Sequence, residues 1–327
     1  MDVMTDKIVA RILREIGIEN LLDALGEKLA PTDLQSLLLA VFRLRAAHQT
    51  PRRLLEQYEQ NAFVRPAIVD VSALLALDRL ALSLAMPRFE PVELSPLAPL
   101  GTSSALAPVD QNKVVTTIRN TEVLSDSTNV LALECALRRR AQSRGATYRQ
   151  DVVRLCASHR LVRAQRYTDP NSRAHFRMFT LCTGGRGDME GKFEAASLYE
   201  QINFYLRFLA SVEELGYHLS GVRIAFTPLA GEHEHEELQQ QVISPLAEQF
   251  PAVRLEFDPN PATTPGYYEL VRFQIYATDL GGVEYMIGDG GFTDWTQKLL
   301  SDRRERLLTS GIATERIATL FRRGAVE

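Results

Sequence analysis

Apolar residues recur at helical spacing through the first 85 positions. Ile8, Ile12, Ile16 and Ile18 open the pattern. Pro31-Thr32-Asp33 marks a helix start, with Leu34, Leu37, Leu38, Val41, Phe42 and Leu44 along one face. Asp70-Val71-Ser72 starts another, whose apolar set runs from Leu74 and Leu77 to Leu84 before Pro87 ends it. Residues 88–110 then turn rich in Pro, Ser and Ala, with short extended pieces such as Val92-Glu93-Leu94. A helix is predicted over 129–142, its C-terminal dipole matched by Arg138, Arg139 and Arg140.

The second half mixes periods. Positions 152–165 and 176–183 read as two strands joined by a turn-rich loop. A long helix is predicted over 194–215, and another over 236–250 between strands at 222–226 and 253–257. Strands follow at 267–276 and 283–287, then a helix over 293–310 and a last short one after Thr314. Gly184-Gly185-Arg186-Gly187-Asp188 reads as a tight turn, and Arg303, Arg304 and Arg306 as a wet helix face. Hairpins outnumber regular βαβ units, which predicts an α+β fold built on a largely antiparallel sheet flanked by helices. Residues 1–70 form a helical N-terminal extension, and 71–327 the main domain.

Composition narrows the class. Of 327 residues, 45% are hydrophobic and 24% charged, enough for a large buried core in an ordinary globular chain. The net charge of -4 gives no global basic field, so nucleic-acid binding is not advertised. Cys135, Cys156 and Cys182 are an odd number without a CxxC pair, which predicts three small buried hydrophobes in a reducing compartment. Neither a signal peptide nor an apolar run of membrane-spanning length is visible. A cytoplasmic protein with no membrane contact is expected.

Candidate chemistry lies in two segments. Val162-Arg163-Ala164-Gln165 is followed, across a polar loop holding Arg166 and Arg173, by His175-Phe176-Arg177-Met178-Phe179. Much later comes Gly311-Ile312-Ala313-Thr314-Glu315-Arg316. A hairpin can present Arg163 and Phe179 on neighbouring strands of one sheet face, a guanidinium for phosphate oxygens beside a ring for adenine. These segments resemble motifs 2 and 3 of class II aminoacyl-tRNA synthetase catalytic domains. Gly266-Tyr267-Tyr268 with Phe273, and Gly290-Gly291-Phe292-Thr293-Asp294, are similar to segments of histidyl-tRNA synthetases and of their regulatory paralogue in histidine biosynthesis. Residues 71–96, a Leu-rich helix leading towards Pro96, have the shape of motif 1, the dimer-forming motif.

The resemblance implies roles. Arg163 would bind the α-phosphate of ATP, with Gln165 facing the adenine amino group and Phe179 stacking on the ring. Arg173 and His175 would meet the outer phosphates, and Glu315-Arg316 would close the site, Arg316 reaching the γ-phosphate. Tyr267, Tyr268 and Glu122 are candidates for the pocket that holds the acid, and Glu284 or Asp289 for acids near a Mg²⁺ ion. The implied activity is ATP-dependent activation of an amino or other carboxylic acid as an acyl-adenylate by a homodimer. The acceptor would be tRNA, a carrier protein or a small amine. The chain departs from the pattern at Gln165, at Ala313 and at Ala262-Thr263-Thr264-Pro265, where histidyl enzymes carry Arg-Gly-Leu-Asp. The alternative is therefore a non-catalytic paralogue acting as a regulatory or ligand-binding subunit.

Two further segments have plainer readings. The histidines of Glu232-His233-Glu234-His235 fall in a run of acids that suits a solvated helix start better than a metal site. Trp295 is predicted to pack in the core.

Overall fold

Among the described residues ten strands form in chain order: β1 (Glu90–Pro91), β2 (Leu97–Pro99), β3 (Thr121–Val123), β4 (Val153–Val162), β5 (His175–Arg186), β6 (Ser220–Pro228), β7 (Arg254–Phe257), β8 (Glu269–Thr278), β9 (Glu284–Thr293) and β10 (Glu305–Ile312). They belong to a computed structural model that describes residues 3–18, 20–142, 152–165, 173–188, 190–229, 232–258 and 266–322. Eight strands make one sheet in the order β1-β4-β5-β10-β9-β8-β6-β7, while β2 pairs with β3 apart from it. The pairings from β4 through to β6 are antiparallel, and the outer pairs β1–β4 and β6–β7 are parallel. The expected α+β architecture is present.

Side chains alternate across the sheet, and each face has its own core. Cys156, Phe179 and Leu181 pack on one side against the helices Val71–Ala85 and Lys192–Ser211. Leu155, Leu161 and Cys182 pack on the other against the helix Ser127–Gln142 and Trp295. All three cysteines are free and buried, as the sequence predicts. The helix Val71–Ala85 begins where expected, its first turn capped by Asp70, which accepts from the Ala73 amide at 3.1 Å.

Three expectations for local structure fail, one of them in part, for physical reasons. The stretch expected as one helix over 293–310 is a short helix, Trp295–Leu300, followed by β10. Ser301, at φ +54°, turns the chain out of the helix. β10 is a central strand covered on both faces, so its apolar run lacks the alternation that marks an edge strand. Of the arginines read as a wet face, Arg306 pairs with Glu194 at 2.9 Å. Glu305 beside it is fully buried against Arg139, which donates to both its oxygens at 3.0 and 2.9 Å. The glycines read as a turn at 184–188 instead continue β5 to Arg186. A Cβ on Gly184 would lie 2.2 Å from Cys135 Sγ, and one on Gly185 2.6 Å from the Phe193 ring, so glycine is needed for close packing there.

The described residues up to Gln60 form helices that include Val3–Ile16, Pro31–Ala47 and Pro51–Gln60. The last two bury no residue, and Ile8, Ile12, Phe42 and Leu54 are exposed. The chain then runs as a strap towards Val71. The Arg65 carbonyl accepts from His175 Nε2 at 2.7 Å, and Asp70 pairs with Arg322 at 2.5 Å. Among the described residues, no helix is long and apolar enough to cross a membrane.

Candidate functional site

A cleft of two joined cavities lies on the sheet face that carries Arg163. The first, of about 480 Å³, is lined by Asp126, Asn129, Arg163, Gln165, Tyr267, Tyr268, Arg272 and Asp289. The second, of about 770 Å³, is lined by Arg163, Arg173, Phe176, Asp289, Glu315, Arg316 and the strap residues 67–70. Arg163, Met178, Met286 and Asp289 belong to both and mark the junction.

Local structure fixes each group. Asp126 precedes the helix Ser127–Gln142, and its Oδ1 accepts from the amide and hydroxyl of Thr128 at 2.9 and 2.7 Å. Its Oδ2 is left facing the cleft, 3.3 Å from the Tyr267 hydroxyl and 3.9 Å from Arg163 Nη2. Arg163 Nε donates to the Ser125 carbonyl at 3.1 Å, and its guanidinium lies 5.0 Å from the centre of the Phe176 ring. Asp289 leaves β9 towards the junction and accepts from the Tyr268 hydroxyl at 3.2 Å. Gly291 lets Tyr268 lie flat on the sheet, for a Cβ there would come within 2.6 Å of that ring. Asn129, almost fully buried, has a side-chain oxygen without a hydrogen-bond donor.

Burial raises the Asp289 carboxyl above the ordinary aspartate range, and the nearby Asp126 charge adds to it, against the pull of Arg272 and Arg163. Burial also holds the Tyr267 and Tyr268 phenols well above their usual range. Both therefore stay protonated donors at neutral pH.

No family model matches the sequence, and no curated protein matches it. Solved structures do. The apo histidyl-tRNA synthetase of S. aureus aligns over 75% of this chain and 63% of its own, with a TM-score of 0.53 at 12% identity. A protein of Bacillus halodurans described as an ATP phosphoribosyltransferase regulatory subunit/histidyl-tRNA synthetase aligns over 76% and 78%, at 0.51 and 13%. A histidine–tRNA ligase subunit from Alicyclobacillus acidocaldarius aligns over 78% and 94%, at 0.55 and 11%. The chain has a class II aminoacyl-tRNA synthetase-like fold. At these identities the likeness carries the fold alone, and this chain spans 63% of the length of the S. aureus enzyme.

On this synthetase-like frame the expected residues separate into two groups. Arg163, Gln165, Tyr267 and Tyr268 line the first cavity, and Arg173, Glu315 and Arg316 the second. Three others lie elsewhere. Phe179 is fully buried on the opposite face of the sheet and stacks on Phe204 at 5.4 Å. The register decides this: Val162 pairs with His175, so Arg163 shares its face with Phe176 and Met178 and not with His175 or Phe179. The phenylalanine ring that lines the second cavity is Phe176. His175 lines neither cavity; its Nδ1 accepts from Arg160 at 2.9 Å while its Nε2 holds the strap. Glu122 also stays outside. Its buried carboxylate accepts from the amides of Gly101 and Ser103, the Ser103 hydroxyl and the Gln111 amide at 2.8–3.0 Å. Those bonds occupy both oxygens.

Asp126, Asn129, Phe176 and Arg272 were not anticipated. Asp126-Ser127-Thr128 is a helix-start signal that could have placed Asp126 beside the first turn. Strict strand alternation could have chosen Phe176 over Phe179.

The donor set suits a nucleotide. Arg163, Arg173 and Arg316 face the second cavity with the Phe176 ring, the chemistry that a triphosphate and a base require. Arg316 Nη1 also donates to the Met286 carbonyl at 2.8 Å, and Glu315 accepts from Arg160 at 2.6 Å and from the Arg177 amide at 3.1 Å. Among the described residues no group of three His, Cys, Asp or Glu side chains could cage a metal ion. Asp289 and Glu315 line the cavity, and one or two carboxylates beside phosphate oxygens are what Mg²⁺ ordinarily uses. Glu284, the other expected acid, pairs instead with Arg223 through both oxygens, at 3.0 and 2.6 Å.

Proposed function

We propose that the cleft binds ATP and an amino acid side by side and joins them as an aminoacyl-adenylate. A carboxylate oxygen of the acid attacks the α-phosphorus. The bond from that phosphorus to the bridging oxygen breaks, and pyrophosphate leaves. No base is needed, because the attacking group is already an anion. Catalysis comes from positioning and from neutralising charge on the phosphates.

The observation that carries this reading is the junction: Arg163 lines both cavities, where a carboxylate from one side would meet an α-phosphate from the other. Phe176 would stack on adenine, while Arg173 and Arg316 would hold the outer phosphates. Asp126, with the bare oxygen of Asn129, suits an α-ammonium group. The adenylate would pass to tRNA, a carrier protein or a small amine. The protein acts as a homodimer, with Val71 and Leu75 exposed on the helix Val71–Ala85 for contact with the partner.

A second reading has an observation of its own. Arg163 and Arg316 each already donate to a main-chain carbonyl, of Ser125 and Met286, which suits a regulatory subunit that senses a ligand without turning it over. Amino-acid-dependent ATP–pyrophosphate exchange over the twenty standard amino acids, with calorimetric ATP binding alongside, separates the two. Exchange supports the ligase, and binding without exchange supports the regulator. If Arg163→Ala left ATP affinity unchanged, the nucleotide assignment itself would be wrong.

A further inference from the structure

Another cavity, of about 700 Å³, shares no lining residue with the cleft. That volume is in the range of small-molecule sites. The helix Lys192–Ser211 forms one wall, the end of the helix Val71–Ala85 another, and Arg154 of β4 reaches it from the sheet. Arg154 stands two residues before Cys156 and so takes the same side of β4, the face opposite the one that carries Arg163.

The charged lining is Arg88, Arg154, Lys192 and Arg207 against one acid, Glu200. Lys192 is matched by Glu190 outside the cavity. Glu90, two residues from Arg88 in the chain, is taken by Arg138. Glu200 is therefore shared. Its Oε2 accepts from Arg154 Nε at 2.5 Å and its Oε1 from Arg88 Nη1 at 3.2 Å. Arg207, two turns further along the same helix, makes no ion pair or hydrogen bond among the described residues. Three guanidinium groups facing one carboxylate leave two positive charges unmatched. The shared carboxylate also sets direction: held by its Nε, Arg154 keeps both Nη groups open, and Arg88 keeps its second Nη, around one point. The Tyr199 hydroxyl is fixed on Gln249 at 2.9 Å, which steadies its ring as an apolar wall together with Leu84.

We propose that this cavity is a second ligand site, for an organic phosphate monoester. Such a group carries close to two negative charges at neutral pH and offers three acceptor oxygens, which matches the unmatched charge and the open guanidinium edges. Arg154 and Arg88 hold the phosphate, Arg207 adds its charge from along the helix, and the organic body lies against Tyr199 and Leu84. The site is independent of the cleft, so a ligand there leaves the reading of Arg163 untouched.

The test compares phenyl phosphate with phenyl sulfate, a monoanion of nearly the same shape, by calorimetry on the full chain at about pH 8, above the second phosphate pKa. Phenyl phosphate should bind about tenfold or more tightly than phenyl sulfate, and more weakly as salt is raised. Arg154→Gln should weaken it about tenfold, since that guanidinium is only 33% exposed. Arg88→Gln and Arg207→Gln, at more exposed positions, should each cost roughly threefold. Arg163→Ala should change nothing. Equal affinity for the two anions, or no binding of phenyl phosphate, overturns the proposal. So does binding that survives all three cavity variants or is lost in Arg163→Ala, which would place the anion in the cleft. Binding of polyglutamate but not of phenyl phosphate would also overturn it, in favour of an acidic protein partner. The two variants at exposed arginines keep the test decisive even if Arg154→Gln folds poorly.

Discussion

Glu122→Gln separates a structural carboxylate from a substrate ligand. In the native protein one oxygen accepts from the Ser103 amide and hydroxyl, the other from the Gly101 amide and the Gln111 side chain. A glutamine keeps one acceptor and turns the other into a donor, opposite two donors. Gln111 can flip its amide to answer one of them, but the Gly101 amide cannot move. At least one charge-assisted bond is lost and one amide is stranded, together about 2–4 kcal/mol. With a urea slope near ~3 kcal/mol/M, the unfolding midpoint falls by on the order of 1 M.

The pH dependence gives a second readout. Burial alone would raise the Glu122 carboxyl, but the hydrogen bonds from Ser103, Gln111 and Gly101 outweigh it and hold it below the ordinary glutamate range. Its contribution is therefore full above the pKa of an unfolded glutamate and fades as pH falls through the lowered native value. The gap between wild type and Glu122→Gln should narrow in acid. Ligand affinity of the folded variant should be unchanged. A variant that unfolds at the wild-type midpoint yet loses amino-acid affinity would refute this account and return Glu122 to the pocket.

Two substitutions on β5 should behave oppositely. Phe179→Ala removes a fully buried ring and should cost about 3–5 kcal/mol in urea unfolding, while Phe176→Ala should cost less stability and weaken ATP binding measured by calorimetry. A stable Phe179→Ala protein with impaired ATP binding would reverse the assignment. Gly184→Ala sets a methyl group into the Cys135 sulfur and should destabilise by roughly 1–3 kcal/mol, partly recovered when Cys135→Ala is added. Unchanged unfolding of the single variant would show that the helix Ser127–Gln142 shifts without cost.

Much of the frame was legible because burial is periodic. β4, β6 and the helix Val71–Ala85 follow from alternation or a capped apolar stripe, and the order of Arg163, Tyr267 and Arg316 along the chain pointed to one cleft. The failures share a cause. β10 is covered on both faces, so its Leu307-Leu308 run has no period to betray a strand. Phe179 matched a spacing, yet spacing is blind to which side of a sheet a side chain takes, and only the pairing of Val162 with His175 decides that. Glu122 carries a charge that could meet a ligand, but a carboxylate becomes a ligand only when the protein has not already supplied its donors. Asp126 looks in sequence like any helix cap. That one of its oxygens caps while the other faces the cleft emerges only in three dimensions.

The strap before Val71 has a consequence for where the working unit ends. Residues 67–70 help to wall the second cavity, with His175 and Arg322 fastening the strap at either end. A chain beginning at Val71 would keep every strand of the sheet and both cores, yet it would open the second cavity along one side. The border of the fold and the border of the site thus fall at different residues. The N-terminal helices, through the short run that follows them, share a surface with whatever ligand the cavity holds.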